Sequence, residues 1–116
     1  MAGASMRLLR GTLDVMILKS LSWGPLHGYA VSRWIAEMTE SAFDVQEGAL
    51  YPALRRLEEK GFLGSYWAVS EPGREAKFYR LTEAGTHALR AEVRMWTKYV
   101  HAMSRVLQAI APQAGS

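Results

Sequence analysis

The stretch from Gln46 to Lys60, QEGALYPALRRLEEK, carries the side chains best suited to contact a nucleic acid. Leu50, Leu54 and Leu57 recur at spacings of four and three, which predicts a helix with one apolar face directed toward a core. The rest of its surface combines small side chains, which permit close approach, with hydrogen-bond donors for phosphates and base edges. These residues are Gln46, Gly48, Ala49, Tyr51, Pro52, Arg55 and Arg56. We interpret the stretch as a DNA recognition helix.

A second set of candidate DNA contacts follows this helix, where the spacing of apolar residues changes to alternation. The segments Leu63–Val69 and Phe78–Leu81 predict two strands, and Ser70–Ala76, with its Pro and Gly, predicts the turn between them. Arg74 and Lys77 then lie on or beside a β-hairpin, where they could neutralise phosphates. Taken alone, the hairpin could equally be a solvated loop with ordinary surface charges. Directly after a helix-turn-helix, it is expected to be a wing.

The sequence contains no grouping of side chains typical of an enzyme. It has no cysteine, which excludes a thiolate nucleophile, disulfides and zinc sites of the cysteine type. His27 has no nucleophile or orienting partner close in sequence, so we interpret it as structural. His87 and His101 would lie on one helix roughly 21 Å apart, too far to share a metal ion. We therefore expect no catalysis, no cofactor and no metal site.

Length and composition favour a single small globular unit. The chain has 116 residues, of which 49% are hydrophobic and 22% charged, so it differs from a disordered tail. Its net charge of +3 suits a polyanion but is weak evidence, because the predicted recognition helix contains three acids and three bases. The sequence begins without the apolar run of a signal peptide and has no run long enough for a bilayer. We expect a cytoplasmic protein without a membrane partner.

Two helices are predicted before the recognition helix, from Leu8 to Leu21 and from Leu26 to Met38, separated by Trp23-Gly24-Pro25. Asp44 with Glu47 has the form of a capping box for the recognition helix, although the cap could instead involve Gln46. The inward stripe of the second helix is predicted to contain Leu26, Tyr29 or Ala30, Trp34 and Met38.

A long helix is predicted for Glu83–Ala111, with Thr82 as its cap. Apolar residues recur at alternating spacings of four and three along it, which is the pattern of a heptad repeat. This heptad stripe consists of Leu89, Val93, Trp96, Val100, Met103, Leu107 and Ile110. The helix would be roughly 43 Å long, more than so small a domain can cover. A partner chain is therefore favoured over a lone amphipathic helix folded on its own domain.

Trp96 stands in the middle of the heptad stripe, where Leu or Ile would pack more tightly. It could simply fill the interface between chains, or it could be a flat platform for a planar aromatic ligand. Val93 and Ile17 would lie beside such a ligand. Asp14 is either a first-turn acid that interacts with the helix dipole or a residue at the rim of this pocket.

Three segments together resemble the PadR family of bacterial transcriptional regulators. They are HGY at His27–Tyr29, EGALYPALRRLEEKGFL at Glu47–Leu63 and AKFYRLTEAGTHAL at Ala76–Leu89. The resemblance extends from about Leu8 to Leu107. It implies a winged helix-turn-helix domain, a carboxy-terminal dimerisation helix, and a homodimer that binds an inverted-repeat operator, usually to repress transcription.

The resemblance also implies roles for single residues. The family's Gly-x-Leu-Tyr core falls on Gly48, Leu50 and Tyr51, with Leu50 in the core and Tyr51 facing DNA, and the basic wing residues fall on Arg74 and Lys77. Trp96 matches a tryptophan with which some short members of the family bind flat aromatic drugs between subunits. The chain departs from the family at Gln46 and Ala49, where relatives often have Ser or Thr, so one hydroxyl contact to phosphate is missing.

We therefore predict a mainly α fold with a small β-hairpin, in which residues 8–82 form a winged helix-turn-helix domain and residues 83–111 a dimerisation helix. The predicted function is that of a ligand-responsive repressor that binds double-stranded DNA as a homodimer. The alternative is a protein–protein adaptor that uses the winged domain as a docking surface. Steep salt dependence of DNA binding would distinguish the regulator from the adaptor.

Overall fold

The structure, a computed structural model, describes residue 8 and residues 11–112. The helices among them are α1 (Thr12–Ser20), α2 (Gly28–Met38), α3 (Glu47–Glu59) and α4 (Glu83–Leu107), with a short 3-10 helix (Leu21–Trp23) directly after α1. The strands are β1 (Leu26–His27), β2 (Leu63–Ser70) and β3 (Arg74–Leu81). The predicted class, mainly α with a small β-hairpin, is confirmed.

The hydrophobic core lies where α1, α2 and α3 meet. α3 turns Leu50, Leu54 and Leu57 inward, each no more than 1% exposed, as their spacing predicts. They pack in one cluster with residues of the two preceding helices, namely Ile17, Leu18, Val31 and Ile35. Full burial of such a side chain contributes about 1.5–3 kcal/mol. The core therefore fixes the rotation of α3 about its axis and leaves the opposite face at the surface.

The first helix is shorter than predicted. Gly11 immediately precedes α1 with a φ of 85°, a conformation that glycine adopts at little cost, so the helix begins at Thr12. Leu8 belongs to no helix, and residues 9–10 lie outside the described part of the chain. At its other end α1 tightens into the 3-10 helix, which ends at Gly24, where φ is 144°.

The second helix begins two residues later than predicted, because Leu26 and His27 form a strand instead. They pair with Tyr79 and Phe78 of β3, which makes the sheet three-stranded in the order β1-β3-β2. The predicted inward stripe is confirmed only in part, because Leu26 and Trp34 pack against the core while Tyr29 is exposed. The fully buried residues of α2 are Gly28, Val31 and Ile35, which the prediction did not include. Trp34 is half-buried at the edge of the core and Met38 is exposed, because the helix carries two neighbouring apolar stripes and only one can face α3.

The β-hairpin is confirmed, with a longer second strand than predicted. β2 and β3 are antiparallel and in register from Leu63 opposite Leu81 to Ser70 opposite Arg74. Arg74 and Lys77 therefore lie in β3 itself, whereas the sequence placed them in or beside the turn. A strand fixes the direction of each side chain, so Lys77 points to the same face of the hairpin as its cross-strand neighbour Trp67.

α4 starts within the domain and then leaves it. The Thr82 hydroxyl accepts a hydrogen bond from the backbone N–H of Gly85 at 3.0 Å, which confirms the predicted cap. Gly85 and Leu89 are buried, whereas the apolar side chains from Val93 onward are largely exposed. The helix ends at Leu107 and not at Ala111, because the backbone leaves the helical conformation at Gln108, where φ is −96° and ψ is 2°. Pro112 additionally disfavours a helical conformation at Ala111. Ile110 is therefore outside the helix, 92% exposed, and the heptad stripe loses its last predicted member.

Candidate DNA-binding surface

The amino end of α3 is open to solvent and lacks a side-chain cap. The helix begins at Glu47, so the predicted capping box at Asp44 is wrong and Gln46 occupies the capping position. The Gln46 side chain does not cap the helix either, because its Nε2 donates a hydrogen bond to Asp44 Oδ2 at 2.8 Å. The backbone N–H groups of the first turn thus have no side-chain acceptor. They are suited to bind an anion such as a phosphate.

The predicted DNA contacts in the stretch from Gln46 to Lys60 are all exposed, and those within α3 lie on the side opposite the leucines of the core. They are Gln46, Gly48, Ala49, Tyr51, Pro52, Arg55 and Arg56. The spacing thus predicts the buried leucines and the exposed positions of this helix correctly, but not the burial of Ala53.

The two arginines of α3 have different surroundings. Arg55 forms no salt bridge with any residue that the structure describes, and its charge is available to a ligand. Arg56 instead forms an ion pair with Asp14 of α1, through Nη2 and Oδ1, with about half of its side chain exposed. This pair links α3 to α1 at the flank of the surface. Its effect is to neutralise part of the charge that Arg56 would offer to DNA.

An open groove of about 630 Å³ separates α3 from the wing, which we define as β2, β3 and their turn. We call it the wing groove. Its residues come from the amino end of α2, from α3 and from the wing face directed toward α3, and include Gly28, Tyr29, Tyr51, Trp67, Arg74 and Lys77. Trp67 is 65% exposed. Aromatic walls and two cationic residues suit the sugars and phosphates of a nucleic-acid backbone, while Glu71 and Glu75 oppose such binding.

Lys77 lies at the base of the wing groove. Its Nζ is 3.5 Å from Glu58 Oε1 and 5.5 Å from the centre of the Tyr79 ring. Burial, and next the nearby negative charge of Glu58, raise the pKa of the Tyr79 phenol, so Tyr79 stays neutral well into the alkaline range. Tyr79 thus brings no charge of its own to the groove, and among the described residues Glu58 is the one carboxylate within salt-bridge distance of Lys77.

The amino end of α2 also belongs to this surface, although the spacing of residues in the sequence does not predict a DNA contact there. The Nδ1 of His27 accepts a hydrogen bond from the backbone N–H of Ala30 at 3.2 Å, which caps α2 and agrees with the interpretation of His27 as structural. The next residue, Gly28, leaves room for the ring of Tyr51. Tyr29 is exposed beside it and stacks nearly parallel to the His27 ring. In the sequence, only resemblance to a family distinguishes the segment HGY.

Trp67 was missed as well. In the sequence it is one apolar residue of an alternating strand, and such residues usually face a core. The wing extends beyond the core, however, so the described residues leave most of the indole uncovered.

The residues predicted to bind an aromatic ligand do not meet at one open site within a chain. Ile17 is fully buried in the core, and the Asp14 carboxylate is paired with Arg56. Val93 and Trp96 lie on the projecting part of α4. Trp96 is half-buried, its ring meets Tyr99 edge to face at 5.9 Å, and it borders an open cavity of about 510 Å³ with Val100, His101 and Ser104.

Two other kinds of site are missing from the described part of the chain. No cluster of His, Asp and Glu residues there could hold a metal ion. Nor does any helix in it combine the length and the apolar character that crossing a bilayer requires.

Comparisons with known proteins agree with this geometry. The sequence model of the transcriptional regulator PadR-like family matches residues 17–91. A transcriptional regulator of Mycobacterium tuberculosis is 36% identical over 81 residues, which cover 69% of this chain and 71% of that protein. The negative transcriptional regulator PadR of Bacillus subtilis is 29% identical over 77 residues, which cover 66% of this chain and 42% of that protein.

The crystal structure of a PadR family transcription regulator from hypervirulent Clostridium difficile has the same fold. It superimposes with a TM-score of 0.74 at 30% identity, over 84% of this chain and 99% of that one. These proteins are transcriptional regulators, which confirms the prediction that the chain is not an enzyme. The match over most of the chain, and the fold shared with these regulators, show that the protein belongs to the PadR-like family of DNA-binding transcriptional regulators.

Proposed function

We propose that this regulator is a homodimeric repressor, held together by α4, that places two copies of α3 on an inverted-repeat operator. The observation that carries this proposal is the apolar surface of α4 beyond Leu89, which the described residues of one chain leave uncovered. Of the heptad stripe, Val93, Val100, Met103 and Leu107 are all exposed. Further apolar side chains lie outside the stripe, namely Met95, Tyr99 and Val106. Monomers rarely expose so extended an apolar face, and a second copy of the same helix is its simplest cover.

The proposed dimer is symmetric, so it constrains the DNA site. Each chain would insert the amino end of α3 into a major groove, where Gln46, Tyr51 and Arg55 can donate hydrogen bonds to bases. Gly48, Ala49 and Pro52 would form the close contact surface around these donors. Arg74 and Lys77 of the wing would contact phosphates. Arg56, at the edge of the surface, would attract DNA less strongly, because its charge is paired with that of Asp14. Two-fold symmetry then requires half-sites about 34 Å apart on one side of the duplex.

Repression follows from occupancy, because a dimer bound over a promoter excludes polymerase from the same DNA. The Bacillus subtilis relative is itself named a negative regulator. The alternative predicted from the sequence, a protein–protein adaptor, is supported only by the balanced charge of the stretch from Gln46 to Lys60. Membership of a family of transcriptional regulators favours DNA binding instead.

A planar aromatic molecule is the ligand we propose for the dimer interface. It would stack on Trp96 beside Val93, in the cavity that also borders Val100. Ile17 and Asp14 are left out of this site, because the first is buried and the second is paired. If the ligand binds better to a dimer in which the spacing of the two α4 helices does not fit the operator, it shifts the population toward that dimer and weakens DNA binding.

Fluorescence anisotropy with a labelled duplex from the region upstream of the protein's own gene tests the proposed surface. The affinity should fall steeply as salt rises. Arg55→Gln removes one donor to a base edge from each chain and should weaken binding to this duplex by about tenfold or more. The matched control is Arg105→Gln, the same loss of charge near the far end of α4, which should leave the affinity unchanged. Equal affinities for both variants would place the DNA contacts somewhere other than α3.

A further inference from the structure

We infer that Glu58 limits the affinity of this regulator for DNA, because its carboxylate competes with phosphate for Lys77. Glu58 would act in this way only if Lys77 contacts DNA, so the inference rests on the proposed function. An acidic residue that does not itself contact DNA would thus control one contact between the wing and DNA.

Glu58 connects the recognition helix to both strands of the wing. It lies in the last turn of α3 and is partly buried. Its Oε2 accepts a hydrogen bond from Ser65 Oγ of β2 at 2.5 Å, and its Oε1 lies 3.5 Å from Lys77 Nζ of β3. One carboxylate therefore does two things: it fixes the base of the wing through Ser65, and it holds the ammonium of Lys77.

The two contacts of Glu58 have different consequences for DNA binding. The hydrogen bond to Ser65 needs an acceptor but no charge, so a neutral amide at position 58 can preserve it. The contact with Lys77 depends on charge. The Lys77 side chain is 38% exposed, so this pair is partly solvated and contributes little to stability. A phosphate can therefore displace Glu58 from Lys77 without disturbing the fold.

The carboxylate opposes that exchange in two ways. It must give up Lys77 before phosphate can bind, and it remains close to the incoming phosphate as a like charge. Phosphates are the same in every sequence, so the penalty applies equally to the operator and to unrelated DNA. Glu58 thus lowers the part of the affinity that is independent of sequence and leaves base recognition by α3 unchanged.

The test measures affinity for an operator duplex and for an unrelated duplex with Glu58→Gln. The variant should bind both more tightly, by about three- to fivefold at low salt, as expected for removal of one partly screened charge. The matched control is Glu59→Gln, which removes the same charge from the adjacent, exposed residue. Its effect should stay below about twofold, because its charge is not held against Lys77.

Two further variants separate competition from a loosened wing. In a Lys77→Met background, Glu58→Gln should have no more effect than Glu59→Gln, because the ammonium for which carboxylate and phosphate compete is gone. Ser65→Ala removes the hydrogen bond to Glu58 and keeps the charge, so it should not tighten binding. If Ser65→Ala reproduces the gain, or if the gain persists without Lys77, the competition is refuted.

The outcomes also separate this inference from the function on which it rests. If Lys77→Met binds DNA as tightly as the unchanged protein, the proposed wing contact is wrong and the competition is wrong with it. If Lys77→Met weakens binding but Glu58→Gln does not strengthen it, the wing contact stands and the role of Glu58 alone is refuted. Circular dichroism of each variant confirms that the helices are retained.

Discussion

The ring of Tyr51 lies directly against Gly28, so that α3 and the start of α2 meet at a position where any side chain would collide. A Cβ added to Gly28 would lie 2.9 Å from both Cε1 and the phenol oxygen of Tyr51. The contact holds Tyr51 at the edge of the wing groove. A glycine within α2 thereby determines the position of a side chain that we expect to face DNA.

Gly28→Ala is expected to weaken DNA binding without unfolding the protein. The new methyl group must push the Tyr51 ring aside, and the loss of one well-placed hydrogen bond of ~1 kcal/mol corresponds to about fivefold in affinity. Alanine is otherwise favourable in a helix, so the melting temperature should not fall by more than a few degrees. In a Tyr51→Ala background the same change should have no further effect on anisotropy titrations. A full second loss in that background would mean that Gly28 acts on DNA directly.

Gly85→Ala is expected to destabilise the fold. A Cβ at this position would be 2.0 Å from the backbone oxygen of Phe62, which cannot move aside as a flexible side chain can. The base of α4 would have to shift, at a cost of about 1–3 kcal/mol, measured by urea unfolding. Gly48→Ala is the control, since a Cβ there meets nothing within 4 Å and alanine favours the helix. A Gly85→Ala protein as stable as the unchanged chain would contradict the close packing of α4 on the segment before β2.

The ion pair between Asp14 and Arg56 is expected to couple α1 to α3. Asp14→Asn and Arg56→Gln should each lower the free energy of unfolding by at most ~1 kcal/mol, because both side chains are partly exposed. The double variant should lose less than the sum of the two single losses. Additive losses in urea titrations would show that the pair contributes nothing in solution. Arg55→Gln, which breaks no such pair, should leave stability unchanged.

Trp96→Ala is expected to abolish the binding of planar aromatic dyes to the dimer. Stacking on an indole quenches its fluorescence, and Trp96 borders the cavity on α4. The other tryptophans remain as an internal control, so Trp23→Phe should leave the dye affinity intact. Dye binding that survives Trp96→Ala would exclude this cavity as the ligand site.

Much of the fold follows from spacing along the chain. The leucines of α3 and the alternation in β2 are periodic over enough residues to define an element and its buried face. α4 is the clearest case, since a helix of 25 residues is present over most of the segment in which the apolar residues recur at spacings of four and three. The resemblance to a family added the order of the elements, and the structure agrees with it.

What the sequence did not predict depends on contacts between distant segments. The two residues of β1 are too few to show alternation, so Leu26 was assigned to a helix. α2 has two apolar stripes, and only its packing against α3 decides between them. The pairing of Arg56 with Asp14, the hold of Glu58 on Lys77 and the fit of Tyr51 on Gly28 all join different elements. The wing groove was therefore predicted only as a set of basic residues and without its aromatic walls.

The central claim is that two chains, joined through α4, present two recognition helices to one duplex. The most direct test begins by selecting fragments of the source genome with the purified protein. The bound DNA is then footprinted with hydroxyl radicals, and the mass of the complex is measured. We expect two chains per site and two protected patches related by two-fold symmetry, with centres one helical turn, about 34 Å, apart. A single chain per site, or protection without two-fold symmetry, would contradict the claim.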